Sequence, residues 1–321
     1  MSERLWIAPY FLTPRARLGA RASNGDRYGV LLRVDRGDSD GFADLHPWPE
    51  LGDPSLAEEL KGLRSGQPLA LGQRSLSFAR RDADARLANK SLFEGLDVPL
   101  SHRLVPDLLT TGADELETWR GEGFTHLKIK IGRNPMDELR VLKALSLPLA
   151  NFKIRFDFNG IGTVDAVVAW IKALQPCVRD AIEFLEDPIV YDGLNWRRLS
   201  QELKIALAFD RGATPEAFSD WLVVKPSQRA AADFVGSSAK ICVTSSLDHP
   251  LGQLAAALDA AELATKREVG VCGLVSQSAF EATDFSQALR YAGPKLFGPK
   301  SDIGFGFTDL LEKADWRPLE K

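Results

Sequence analysis

Along the chain the rhythm of hydrophobic positions changes at about residue 99. Before it, strand and helix signals are mixed. The run 28–34 (YGVLLRV) predicts a strand, and Asn24-Gly25 ahead of it is a turn pair, because both residues tolerate positive φ. Segments 54–62 and 76–96 repeat their apolar residues on a helical period, the second closing near Gly95. Together they predict a small α+β capping domain over 1–98. Beyond it, short apolar or β-branched runs alternate with amphipathic segments at the spacing of one βα unit. Strands are expected at 103–108, 126–131, 153–158, 181–185, 205–209, 221–225 and 240–244, and more weakly at 268–272. Helices at 113–122, 135–147, 163–174 and 252–263 fall between them. Such a series predicts an α/β fold, a modified (β/α)8-type, TIM-like barrel over 99–299 rather than an open sheet. The stretch 300–321, with GFGF at 304–307, does not read as another unit and is expected to complete the capping domain.

A parallel barrel strand is buried on both faces, so an ionisable residue at its C-terminal end has no packing reason to be there. Lys128 and Lys130 are two apart on one strand and share a side. Three further runs end in Asp157, Glu186 and Asp210, separated by 29 (157 to 186) and 24 (186 to 210) residues, each about one βα unit. In a barrel these carboxylates are neighbours. Lys225 closes the next strand, only 15 residues after Asp210, so the helix between must be very short; its position in the round is across from Lys130. Taken singly, each residue has a plainer reading: Asp157 or Asp210 could cap the following helix, and the two lysines could face solvent from an edge strand. As a set they point to chemistry. Three converging carboxylates repel unless a divalent cation neutralises them, and an all-oxygen set favours Mg2+, with Mn2+ as a substitute, over zinc. Beside such a charge a lysine loses its proton more easily and can act as a base.

Composition narrows the remaining classes. The chain has 321 residues, 45% hydrophobic and 26% charged, with a formal net charge of -4, as a soluble globular protein has. This balance suggests neither nucleic acid nor an anionic membrane as partner, and leaves a small molecule. Cys177, Cys242 and Cys272 are odd in number and lie outside CxxC pairs, so reduced thiols are expected. No long apolar run or signal-type leader is apparent, which makes the cytoplasm the expected location. No dinucleotide, P-loop or nucleophile-elbow motif occurs, and the four histidines form no HExxH. His126 reads as a strand-entry residue and His46 as a capping-domain surface or packing residue.

With Lys128-x-Lys130, Asp157-x-Asn159, Glu186-Asp187-Pro188, Asp210 and Lys225 in this order, the chain resembles the two-lysine branch of the enolase superfamily, and within it the o-succinylbenzoate synthase family. The segment 41–60 is similar to that family's capping-domain motif, with Asp44 where Glu is more usual. VTSSLDHPLG at 243–252 is similar to its substrate-carboxylate loop. Asp210 is followed by Arg211 and Gly212, where the family usually has Glu after the Asp. The resemblance implies that Asp157, Glu186 and Asp210 hold Mg2+, and that Lys130 removes a proton α to a carboxylate to give an enediolate and then protonates the departing hydroxyl. It further implies that Lys128 holds the carboxylate, that Lys225 steadies the anion, and that Arg155, Asn159, Ser245, Ser246, Gly273 and Leu274 surround the substrate. A loop at 14–24 would close the mouth. The implied reaction is dehydration of 2-succinyl-6-hydroxy-2,4-cyclohexadiene-1-carboxylate to 2-succinylbenzoate in menaquinone biosynthesis. Racemisation of N-succinylamino acids, dipeptide epimerisation, muconate-type cycloisomerisation and a non-catalytic ligand-binding barrel stay open, as do monomer and homo-oligomer.

Overall fold

The computed structural model describes residues 3–19 and 25–320. Strands β1 (Arg4–Leu12), β2 (Arg27–Asp35) and β3 (Asp40–Leu45) form an antiparallel sheet, and the short strand Arg317–Pro318 adds to the free side of β1. The end of the chain thus returns to its beginning. β1 was not among the expected strands. It contains Pro9, which lies beyond the reach of Arg317–Pro318, where β1 is an edge and a missing N–H is tolerated. The turn expected at Asn24-Gly25 falls partly outside the described residues.

Two helices cover this sheet. Helix α1 (Leu56–Arg64) begins with a capping box in which Ser55 and Glu58 bond each other's backbone N–H groups. Helix α2 (Ala70–Leu87) starts earlier than its apolar period suggested and ends sooner, because Asn89 turns left-handed at φ 52°. It lies so close to β3 that a side-chain carbon at Gly41 would come within 1.8 Å of the Ala79 carbonyl oxygen. Asp82, wholly buried on α2, ties three parts of the layer together: it accepts from the N–H of Phe42 at 2.9 Å, from that of Phe305 at 2.6 Å and from Arg86 Nε at 2.6 Å.

The rest of the chain is a ring of parallel strands: β4 (Arg103–Val105), β5 (His126–Lys130), β6 (Lys153–Asp157), β7 (Ile182–Glu186), β8 (Leu207–Phe209), β9 (Trp221–Val224) and β10 (Lys240–Val243). They form a seven-stranded sheet in sequence order. The expected eighth strand at 268–272 is not a regular strand. The chain there closes the ring through isolated bridges, Cys272 to Ser101 on one side and Gly273 to Thr244 on the other, with His102 N–H donating to Cys272 O at 2.7 Å and Gly273 N–H to Val243 O at 2.9 Å. Between β8 and β9 the crossover is reduced further than a short helix, to turns alone. Helix Pro250–Ala264 is buried almost all round, because it lies under the first sheet and against the barrel at once. Among the described residues, no helix is long and apolar enough to cross a membrane.

Candidate active site

Sheet register brings the charged strand ends together. Lys130 stands beside Asp157 and Asp157 beside Glu186, while Lys128 stands beside Arg155 one step earlier. Asp210 follows β8 and Lys225 follows β9, which lies four places from β5 in the strand order, so the ring sets Lys225 opposite the two lysines. Lys128 Nζ lies 2.6 Å from Glu186 Oε1 and 3.3 Å from Asp157 Oδ2. Lys130 Nζ is 2.9 Å from Asp157 Oδ2, and Lys225 Nζ donates to both carboxylate oxygens of Asp210.

Burial and mutual charge set the protonation of this group. Glu186 is pushed up to about 8 by burial and by the charge of Asp157, against the pull of Lys128. At Asp157 burial also acts upward, but Lys130 and Lys128 outweigh it and hold the carboxyl well below the usual range. Asp210 is lowered in the same way, Lys225 and then Lys128 prevailing over burial. Burial disfavours the ammonium of Lys128, yet Glu186, Asp157 and Asp210 together raise it above the ordinary lysine value. The lowering expected of lysines beside a divalent cation is therefore reversed at Lys128 when only carboxylates surround it.

Among the described residues, no three His, Cys, Asp or Glu side chains are already gathered as a ligand set, since ammonium groups stand between the carboxylates. The donor chemistry fits a hard cation nonetheless: three carboxylates, oxygen only, end three adjacent strands around one point of the ring. Their supports are built in. Asn159, left-handed at φ 54°, gives its N–H and Nδ2 to Asp157 Oδ1 at 3.0 and 2.8 Å. Asp187, at φ 39°, accepts from the N–H of Asp210 at 3.1 Å and of Arg211 at 3.3 Å, and so fixes where β8 ends. Two non-glycine residues in this region of φ mark strain concentrated at a functional site.

Above the carboxylates lies a cavity of about 360 Å³ roofed by Leu18, Gly19, Trp48 and Leu51 and bordered on the barrel side by Lys128, Lys130, Asp157 and Lys225. Of the loop expected to close the mouth, Leu18 and Gly19 line the cavity; a side-chain carbon at Gly19 would be 3.7 Å from Lys130 Nζ. Residues 20–24 of that loop lie outside the described ones. The two layers are also bonded: Asp44 accepts from Tyr10 Oη at 2.5 Å and from the His249 N–H at 3.2 Å.

Of the expected substrate contacts, Asn159, Ser245, Ser246 and Gly273 line the cavity. Ser245 pairs with Ser276 at 2.8 Å and Ser246 with Ser227 at 2.6 Å, hydroxyl to hydroxyl. Two others do not reach it. Leu274 is wholly buried, turned into the barrel wall where its N–H donates to Ser101 Oγ. Arg155 is also wholly buried, below the cavity, because Glu183 Oε2 holds its Nε at 2.5 Å and Val271 O holds its Nη1 at 2.8 Å. Besides Cys242 Sγ at 3.4 Å, Nη1 also meets His102 Nδ1 at 2.9 Å, and His102 is a cavity residue that sequence reasoning missed. The available signal was its place, directly ahead of the apolar run of β4. His126 does enter its strand, 3.5 Å from Glu183, and of the two readings for His46 the packing one holds, since it is buried and stacked on Tyr10.

A capping sheet over a barrel that closes on seven strands and one bridged segment, with lysines on two sides of a strand-end carboxylate trio, defines an enolase-type enzyme architecture. Comparison with known proteins agrees. Residues 5–85 match the o-succinylbenzoate synthase N-terminal domain, and residues 112–235 match the enolase C-terminal domain-like family. The o-succinylbenzoate synthase of Bdellovibrio bacteriovorus is 34% identical, with 99% of each chain covered. The chain belongs to the o-succinylbenzoate synthase family. Among solved structures, the L-Ala-D/L-Glu epimerase of Bacillus subtilis superposes with a TM-score of 0.75 at 16% identity, over 94% of this chain and 98% of that one. The dipeptide epimerase of Enterococcus faecalis, complexed with Mg and the dipeptide L-Leu-L-Tyr, does so with a TM-score of 0.74 at 14% identity, over 88% and 93%. At those identities the likeness concerns the fold.

Proposed function

We propose that this chain is a Mg2+-dependent o-succinylbenzoate synthase, dehydrating 2-succinyl-6-hydroxy-2,4-cyclohexadiene-1-carboxylate to 2-succinylbenzoate in menaquinone biosynthesis. The observation that carries the reading is Lys130, whose Nζ sits at the cavity wall 2.9 Å from Asp157 with Lys225 on the far side of the ring. Asp157, Glu186 and Asp210 would hold the cation. When bound, it supplies positive charge that makes the proton α to the substrate carboxylate more acidic.

Lys130 Nζ takes that proton, and the C–H electron pair moves onto the carboxylate to give an enediolate. The pair then returns to form the ring double bond as the neighbouring C–O bond breaks. Lys130, now an ammonium on the same face, gives its proton to the departing hydroxyl, which leaves as water and restores the free amine. Lys128, kept charged by its carboxylate neighbours, holds negative charge in place. Lys225 faces the opposite side of the ring as a second ammonium. The roof of Leu18, Trp48 and Leu51 keeps water from the reacting carbon.

A second reading has specific support: with lysine side chains on both sides of one cavity, one as the amine and the other as the ammonium, a proton removed on one face can be returned on the other, as racemisation or epimerisation requires. The test is turnover of the cyclohexadiene substrate followed by ultraviolet absorbance, with EDTA and Lys130→Ala as controls. Loss of signal that needs both metal and Lys130 supports the synthase. A folded, metal-loaded protein without turnover moves the assignment to N-succinylamino-acid or dipeptide epimerisation, read by deuterium exchange at the α carbon.

A further inference from the structure

We infer that His102 is a hydrogen-bond donor on the cavity floor, presenting Nε2–H to a carboxylate oxygen of the substrate, and that Arg155 is the positioning residue that keeps the ring proton on that nitrogen. The inference rests on the reading above only in that the cavity takes a carboxylate.

The first step is valence. Arg155 Nη1 lies 2.9 Å from His102 Nδ1, and a guanidinium carries donors and no acceptor. Nδ1 must therefore accept, and the proton of the neutral ring sits on Nε2. Arg155 cannot turn away to permit the other tautomer. It is wholly buried, held by Glu183 at 2.5 Å and Val271 O at 2.8 Å, with its guanidinium over the Phe184 ring at 4.8 Å. Burial, then the charges of Arg155 and Lys128, keep the imidazole far below its ordinary value, so it stays neutral at the working pH.

The second step is aim. His102 is 4% exposed, yet it lines the cavity, and no described residue takes its Nε2–H. A side-chain carbon at Gly273 would stand 2.8 Å from Nε2 and 2.7 Å from Cε1, so the absence of a side chain there is what leaves the ring edge open. That same point is 2.8 Å from Thr244 Cγ2, and Thr244 Oγ1 is buried with no partner among the described residues. The floor therefore offers an N–H donor facing the cavity beside a buried hydroxyl that has no partner among the described residues, in a space that also reaches Lys128. A buried hydroxyl needs a partner. An anionic oxygen suits both the hydroxyl and the N–H.

A neutral donor binds the ground-state carboxylate modestly and binds it better once the α proton has left and a second negative charge accumulates. Its contribution should thus appear in kcat more than in KM. In the Mg2+-loaded enzyme, His102→Leu is expected to lower kcat by about 100-fold, the scale for one lost donor to a developing oxyanion, with KM nearly unchanged. His102→Gln keeps an N–H and should recover much of the loss, whereas a merely structural role would leave both variants equally impaired. Nitrogen-15 NMR of the histidine rings reads the wild type directly: Nε2 protonated, Nδ1 bare, and the Nε2–H resonance moving when 2-succinylbenzoate is added. Arg155→Met should release that tautomer. A wild-type ring protonated on Nδ1, a resonance indifferent to bound carboxylate, or equal kcat for His102→Leu and wild type would each overturn the proposal. Should the wild type fail on the cyclohexadiene, the synthase reading falls by itself, and the same resonances read with an N-succinylamino acid still decide the role of His102.

Discussion

Stability of the metal-free protein should fall as the solution is made more alkaline through neutrality, and Glu186 is the reason. Its carboxyl in the folded chain is pushed up to about 8, against 4.5 for an ordinary glutamate. Between those two values the folded state binds the proton and the unfolded state does not, so raising the pH favours unfolding, and the effect levels off above the folded value. One proton of difference is worth about 1.4 kcal/mol per pH unit. Other groups bound the window. Burial holds His46 and His249 down at about 3, so their protons are bound by the unfolded chain, but this acts only below the ordinary histidine value of 6.5. Asp187 and Asp248, pushed up to about 7 mainly by burial, contribute chiefly at the lower edge. From about pH 7 to about pH 8 the folded carboxyl is itself giving up its proton, so urea unfolding in EDTA should show the wild type losing about 1 kcal/mol more than Glu186→Gln. Mg2+ should recover the loss and stabilise more at the higher pH, because it binds the deprotonated site. Equal slopes in the two proteins, or a wild type that gains stability with pH, would refute the reasoning.

Three substitutions probe other parts. Lys225→Arg keeps the charge but not the shape of the group opposite Lys130; it should abolish racemisation of an N-succinylamino acid completely, while dehydration of the cyclohexadiene survives weakly, both readable in initial rates. Gly273→Ala places a methyl 2.8 Å from His102 Nε2 and from Thr244 Cγ2 and should depress turnover and 2-succinylbenzoate binding, measured by kinetics and calorimetry, while overpacking the wall at a cost of about 1–3 kcal/mol in urea unfolding. Asp82→Ala strands the N–H groups of Phe42 and Phe305; at about 1–3 kcal/mol for each buried unsatisfied group, it should cost about 4 kcal/mol in urea unfolding and expose the end of the chain to limited proteolysis.

What was legible in the sequence was the set of strand ends, for a physical reason. A barrel strand that must be apolar on both faces makes a terminal carboxylate or lysine conspicuous, and the βα spacing then orders Asp157, Glu186, Asp210 and Lys225 around the ring without coordinates. Less legible was whatever depends on an edge or on closure. β1 was hidden by Pro9, whose cost vanishes only because the neighbouring strand is short, and the segment at 268–272 closes the barrel through bridges that periodicity does not encode. Least legible was depth. Side-chain alternation states which way a residue points and not how far along the barrel axis its functional atoms end up. Lys128 and Arg155 share one register step, yet Lys128 reaches up to Glu186 and lines the cavity, while Arg155 is drawn the other way by Glu183 near the start of β7. The decision between substrate contact and hidden support is made by that acceptor on the next strand. It is also why Arg155, itself outside the cavity, meets the cavity residue His102, whose ring it reaches across a separation of 53 residues.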